Sequence, residues 1–92
     1  MTEAVTGKAT IRNELGLHAR AATKLVEVAC RYEADLYLSK DGREVNGKSI
    51  MGVLLLTATR GSVIEIRGVG ADAEELVQAI AALIEGKFGE VK

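Results

Sequence analysis

Gly16-Leu17-His18-Ala19-Arg20-Ala21-Ala22 is the stretch at which the chain changes its period. Before it, Ala9-Thr10-Ile11-Arg12 alternates apolar and polar, the pattern of a half-buried strand with Ala9 and Ile11 inward. After it, Ala22, Leu25, Val26, Ala29 and Cys30 recur at the spacing of one helix face, and Arg20, Lys24 and Glu27 point away from that face. A strand therefore gives way to a helix, with Asn13 to Leu17 as the turn and Gly16 free to take positive φ. The only histidine in the chain stands at the helix start. The first N–H groups of a helix have no intrahelical partner and carry the positive end of its dipole, so negative charge is favoured beside His18. Arg20 adds a permanent cation. The combination suits a phosphate better than a metal ion.

Working outward, Ala4 to Lys8 extends the first strand. From Ala34 to Ser39 the alternation returns, with Leu36 and Leu38 on one side and Asp35 and Tyr37 on the other. Asp41-Gly42 is a hairpin signal, and Arg43 to Val45 forms a short third strand. Ser49 is placed to cap a short helix over Ile50 to Leu56, closed by Arg60-Gly61. Val63 to Val69 is the fourth strand, with Ile64 and Ile66 opposite Glu65 and Arg67. Asp72 and Glu75 form an acidic version of the capping box before a helix whose face is Ala73, Leu76, Val77, Ile80, Leu83 and Ile84. Gly86 ends that helix, and Lys87 to Lys92 is expected to fray. The order is β-α-β-β-α-β-α. One-sided alternation and short links predict an α+β open-faced β-sandwich, an antiparallel sheet with helices on one face and water on the other.

The 92 residues allow one domain, spanning 1–92. Hydrophobic residues at 48% and charged residues at 27% describe a globular chain, and aromatics at 3% leave an aliphatic core. A net charge of −1 gives no electrostatic case for nucleic acid, and so few aromatics offer no base-stacking platform. One cysteine cannot form an internal disulfide, which fits a reducing compartment. Met1-Thr2-Glu3-Ala4 does not open a signal peptide, and no apolar run approaches the ~18 residues of a membrane span. A cytoplasmic location follows as an expectation. With one histidine and a distant cysteine, the ligands for a metal are too few, and no cofactor is implied.

Gly16-Leu17-His18-Ala19-Arg20, followed by Lys48-Ser49-Ile50-Met51-Gly52-Val53, resembles the HPr family, the histidine-containing phosphocarriers of the phosphoenolpyruvate-dependent sugar phosphotransferase system. The resemblance covers nearly the whole chain, including its length and element order. It implies a four-stranded antiparallel sheet with three helices on one side. It implies that His18 takes a phosphoryl group on Nδ1 from Enzyme I and hands it to an Enzyme IIA, with Arg20 beside the phosphate. It also implies that Ser49 is the serine modified by HPr kinase/phosphorylase where that enzyme exists, and that the chain is a monomer. One position departs from the pattern. The family usually carries proline directly after the arginine, and here Ala21 stands there. Proline and alanine are both tolerated in the first helical turn, so tuning of the His18 loop is expected rather than loss of function.

A neutral imidazole is nucleophilic near neutral pH, and the P–N bond it forms is labile, which suits reversible carriage. The chain is then a carrier passed between enzymes rather than an enzyme. Ser49 has two compatible readings, an N-cap and a phosphorylation switch whose charge would fall on the surface shared with His18. Ile50, Met51 and Val53 exceed the burial needs of a short helix and suggest an apolar docking patch, to which Ala19, Thr23 and Lys24 on the first helix are added. Lys24, one turn beyond Arg20, is placed to meet an acidic partner surface. Arg12, Lys24 and Lys48 otherwise read as solvated charges, and Cys30 as a small core residue. Gly42-Arg43-Glu44-Val45-Asn46-Gly47-Lys48-Ser49 matches the phosphate-loop pattern G-x-x-x-x-G-K-[ST]. It is rejected, because that loop needs a buried strand before it and a long helix after it. A regulatory interaction protein of the same fold, acting through Ser49 with little flux through His18, is the alternative reading.

Overall fold

The structure, a computed structural model, describes residues 4–92; Met1 to Glu3, on which the signal-peptide reading rests, lie outside the described residues. The elements are β1 (Ala4–Thr10), α1 (Ala19–Ala29), β2 (Asp35–Lys40), β3 (Arg43–Asn46), α2 (Ile50–Leu54), β4 (Val63–Val69) and α3 (Ala73–Glu85), followed by a 3-10 turn at Lys87–Gly89. The four strands form one sheet in the order β1-β4-β2-β3, with every neighbouring pair antiparallel. The last strand in sequence is therefore central. Ala9 lies opposite Ile64, and Leu38 lies opposite both Ile66 and Val45.

The sheet has one dry face. Ala9, Leu36, Leu38, Ile64 and Ile66 are buried against Leu25 of α1, Val53 of α2 and Leu76, Ile80 and Ile84 of α3. Their alternates Lys8, Asp35 and Glu65 face water. On this open face the Arg67 guanidinium sits 4.3 Å from the centre of the Tyr37 ring and pairs with Glu44 at 3.0 Å. The β2–β3 hairpin turns through Asp41 and Gly42, both at positive φ (52° and 83°), as a tight two-residue hairpin requires.

Four expectations need correction. The buried stripe of α1 is Ala21, Ala22, Leu25 and Ala29; Cys30 is exposed, because the helix ends at Ala29 and Cys30 is only its C-cap. α2 stops at Leu54, and Arg60-Gly61 belongs to the turn that enters β4 rather than to the helix end. The Asp72–Glu75 capping box does not form. The Asp72 carboxylate instead accepts the backbone N–H groups of Glu33 (3.0 Å) and Ala34 (2.8 Å), tying the α1–β2 connection to the start of α3. Finally, the tail is docked rather than frayed, as the site requires below.

The N–H groups of Glu33 and then Ala34 hold the Asp72 carboxyl below its ordinary value of 3.8. A carboxyl depressed in the folded state contributes stability above its unfolded value and loses that contribution as pH falls through the depressed one. Asp72→Asn should therefore melt below the wild type at neutral pH, with the gap narrowing as the pH falls below the ordinary carboxyl range. Thermal melts of both proteins across that range check this; a gap that does not change with pH would contradict it.

Candidate functional site

The turn that enters α1 is tightly specified. Asn13 is fully buried and its amide donates to the Gly16 carbonyl at 2.8 Å. Gly16 has φ +67°, and a Cβ there would lie 2.5 Å from the Ala58 carbonyl oxygen, so glycine is required on two counts. Leu17 N–H then donates to Ala58 O at 2.9 Å. These bonds deliver His18 as the N-cap of α1, with extended backbone (φ −79°, ψ 177°), and its carbonyl accepts the first helical bond from Ala22 at 2.8 Å. The His18 side chain makes no capping bond. The N–H groups of Ala19, Arg20 and Ala21 thus have no partner within the helix. Ala21 buries its methyl group in the core yet keeps a backbone N–H that proline would lack.

The tail completes the site. Lys87 and Phe88 both take left-handed backbone (φ 62° and 55°), which costs about 1–2 kcal/mol per non-glycine residue. Burial of the Phe88 ring, worth about 1.5–3 kcal/mol, offsets most of that cost. Lys24 Nζ donates to the Phe88 carbonyl at 2.7 Å, and Glu14 N–H donates to the carbonyl of Lys92. Between these ties lies Glu90. One carboxylate oxygen accepts the Asn13 amide at 2.9 Å and the other meets His18 Nε2. Glu14, Leu15, His18, Arg20, Glu90 and Lys92 enclose an open hollow of about 340 Å³. Partial burial pushes the Glu90 carboxyl up, but the Asn13 amide, the His18 hydrogen bond and the charges of His18 and Lys24 outweigh it and hold the group below its ordinary value. The His18 side chain is 26% exposed, and Nδ1 has no partner among the described residues. Arg20 is exposed and makes no ion pair among them.

Glu90 and Asn13 escaped the sequence reading. The available signal was the chain's single phenylalanine, which lies close to its end, since an isolated large apolar side chain in a charged tail asks for burial.

Ser49 caps α2, its Oγ accepting Gly52 N–H at 3.1 Å. Lys48 Nζ donates to Tyr32 O at 2.7 Å, which ties the start of α2 to the end of α1, whereas Ala58, beyond α2, meets Leu17 at the start of α1. The two helices therefore run in opposite directions. Of the suggested docking residues, Ala19, Thr23, Ile50 and Met51 are exposed, while Val53 is fully buried in the core and cannot serve. Leu55 (57% exposed) and Leu15 (73%) join the apolar surface instead. The Lys24 and Lys48 ammonium groups, still charged, each donate to a backbone carbonyl, and Arg12 pairs with Glu85 at 2.5 Å. The phosphate-loop match dissolves, with Gly42 in the hairpin turn and Arg43–Asn46 in β3.

A family profile described as "PTS HPr component phosphorylation site" matches residues 5–86. The chain belongs to the HPr family. It is 49% identical over 81 residues to the phosphocarrier protein HPr of Xylella fastidiosa (strain Temecula1), covering 88% of this chain and 91% of that one. The crystal structure of HPr-C-His from Thermoanaerobacter tengcongensis superposes with a TM-score of 0.87 at 40% identity, covering 98% of this chain and 99% of that chain. An HPr from the same organism, described as a dimer, superposes with a TM-score of 0.75 at 42% identity, covering 87% and 92%. The chain is thus a member of the HPr phosphocarrier family of the phosphotransferase system, with that family's open-faced fold. No helix among the described residues is long and apolar enough to cross a membrane.

Because Phe88 anchors the tail, Phe88→Ala should cost about 3–5 kcal/mol of unfolding free energy in urea denaturation. A loss below about 1 kcal/mol would show that the tail is not part of the core.

Proposed function

We propose that this HPr-family chain accepts a phosphoryl group from phospho-Enzyme I on His18 and passes it to an Enzyme IIA. The observation that carries this reading is a partly exposed histidine at the N-cap of α1, a helix whose first three N–H groups have no intrahelical partner. Phosphoryl transfer asks the protein for positioning and charge stabilisation more than for proton transfer. The helix terminus contributes only about 0.3–1 kcal/mol at an exposed site, and Arg20 adds an exposed cation, so the partner's active site supplies most of the rate. The chain is then a carrier rather than an enzyme. It works as a cytoplasmic monomer that meets its partners in turn through Ala19, Thr23, Leu15, Ile50, Met51 and Leu55, the exposed residues around α1 and α2.

Ser49 supports a second, regulatory reading, because it caps α2 directly beside the exposed Ile50 and Met51. Phosphorylation there by an HPr kinase/phosphorylase would add about −1.5 to −2 charges. That charge would fall beside the exposed Ile50 and Met51 and so act on docking.

Incubation with phosphoenolpyruvate and Enzyme I should add the mass of one phosphate. The gain should vanish on acid treatment and be absent in His18→Ala. Failure of the wild type to gain phosphate would overturn the carrier reading. In the same assay Ser49→Asp should accept phosphate at least several-fold more slowly, as a loss of about 1 kcal/mol in docking implies. An unchanged rate would remove the regulatory reading.

A further inference from the structure

His18 has two ring nitrogens, and one of them is already taken. Nε2 faces the Glu90 carboxylate. Glu90 is not a loose tail residue, since its other oxygen is held by the Asn13 amide at 2.9 Å. Asn13 is 0% exposed and is anchored in turn to Gly16 O at 2.8 Å. Two residues before Glu90 the chain is fixed by the buried Phe88 ring and by Lys24 on the Phe88 carbonyl. The ring and the carboxylate are therefore held to the same turn from two sides. An ionised carboxylate can only accept a hydrogen bond, so the nitrogen facing it must be the one that carries the proton. In a neutral imidazole this leaves the lone pair on Nδ1.

We infer that Glu90 is the positioning residue of phosphoryl transfer: by holding the proton on Nε2 it makes Nδ1 the nucleophile, and it keeps that proton in place while the phosphoryl group is carried. The inference rests on the carrier reading of His18. In the accepting step the Nδ1 lone pair forms the new P–N bond. The bond between phosphorus and the donor protein breaks, and its electron pair leaves with the donor. No proton moves, so the ring becomes a phosphorylated imidazolium whose positive charge faces Glu90. In the delivering step the P–Nδ1 bond breaks, its pair returns to Nδ1, and the neutral ring is restored with its proton still on Nε2. A phosphorylated ring that lost the Nε2 proton would be a neutral phosphoimidazole, a poorer leaving group. Glu90 thus keeps the phosphoryl group transferable at neutral pH. The other charged groups around the hollow are Glu14, Arg20 and Lys92, with Lys24 near Glu90; among the described residues the ring's hydrogen bond is to Glu90.

The test uses the full chain as wild type, Glu90→Gln and Glu90→Ala. In ring ¹⁵N–¹H spectra without any phosphoryl donor, the wild type should show a His18 Nε2–H proton slowed in exchange, and Glu90→Ala should lose it. After phosphorylation, the curve of phosphate loss against pH should move about one unit toward lower pH in Glu90→Gln, so that loss at neutral pH becomes roughly tenfold slower. A slowed proton together with a moved curve supports the inference. A wild type without the slowed proton overturns it, as does an unmoved curve, which would leave Glu90 as tail packing alone. A wild type that takes up no phosphate overturns the carrier reading and this inference with it, and that failure is recognisable because the slowed ring proton would still be present.

Discussion

The His18 end of the molecule depends on the turn at Gly16. A left-handed backbone lying almost against the Ala58 carbonyl lets Leu17 pair with that same carbonyl, and the helix can begin only one residue later. Asn13, buried inside the turn, closes it by bonding Gly16 O and spends its other amide hydrogen on Glu90. One small constraint therefore sets three things together: where α1 starts, which residue is its N-cap, and where the tail carboxylate rests. A side chain at position 16 would have to displace backbone rather than a flexible neighbour, and the whole constellation would move with it.

The tail shows how such a site is held without a deep pocket. Two left-handed non-glycine residues are unfavourable locally, and the chain accepts them because Phe88 then fills the core beneath α1 and α3. Once Phe88 is seated, Glu90 has little choice of position. Lys24 belongs to this arrangement. Its ammonium group supports the tail backbone at Phe88 and lends positive charge to Glu90. Among the described residues, Arg20 and Lys92 are the cations of the hollow that make no ion pair.

Much of the fold was legible because each strand buries one face. Leu36 and Leu38, and Ile64 and Ile66, announce their register by simple alternation, and Asp41-Gly42 leaves the hairpin little freedom. The N-cap position of His18 was legible for a similar reason, as a change of period at a glycine. What escaped depended on contacts distant in sequence. Asp72 reads as a local cap, yet the backbone N–H groups of Glu33 and Ala34 compete for its carboxylate and win. Cys30 keeps the helical period of α1 on paper, but the helix ends one residue earlier. Val53 reads as surplus on a short helix, whereas α2 needs it as the single fully buried anchor that pins the helix to the sheet. Glu90 has no local signature. It becomes a site residue only because a phenylalanine two positions earlier finds the core.

The central claim is that the start of α1 receives the phosphoryl group. The most direct measurement is the backbone ¹H–¹⁵N spectrum of the full chain before and after phosphorylation. Ala19, Arg20 and Ala21 should show the largest downfield amide shifts and gain protection from exchange, because their N–H groups acquire the partner that the helix withholds. If those three amides stay in place while the largest changes fall elsewhere, the phosphoryl group is not held by the helix terminus.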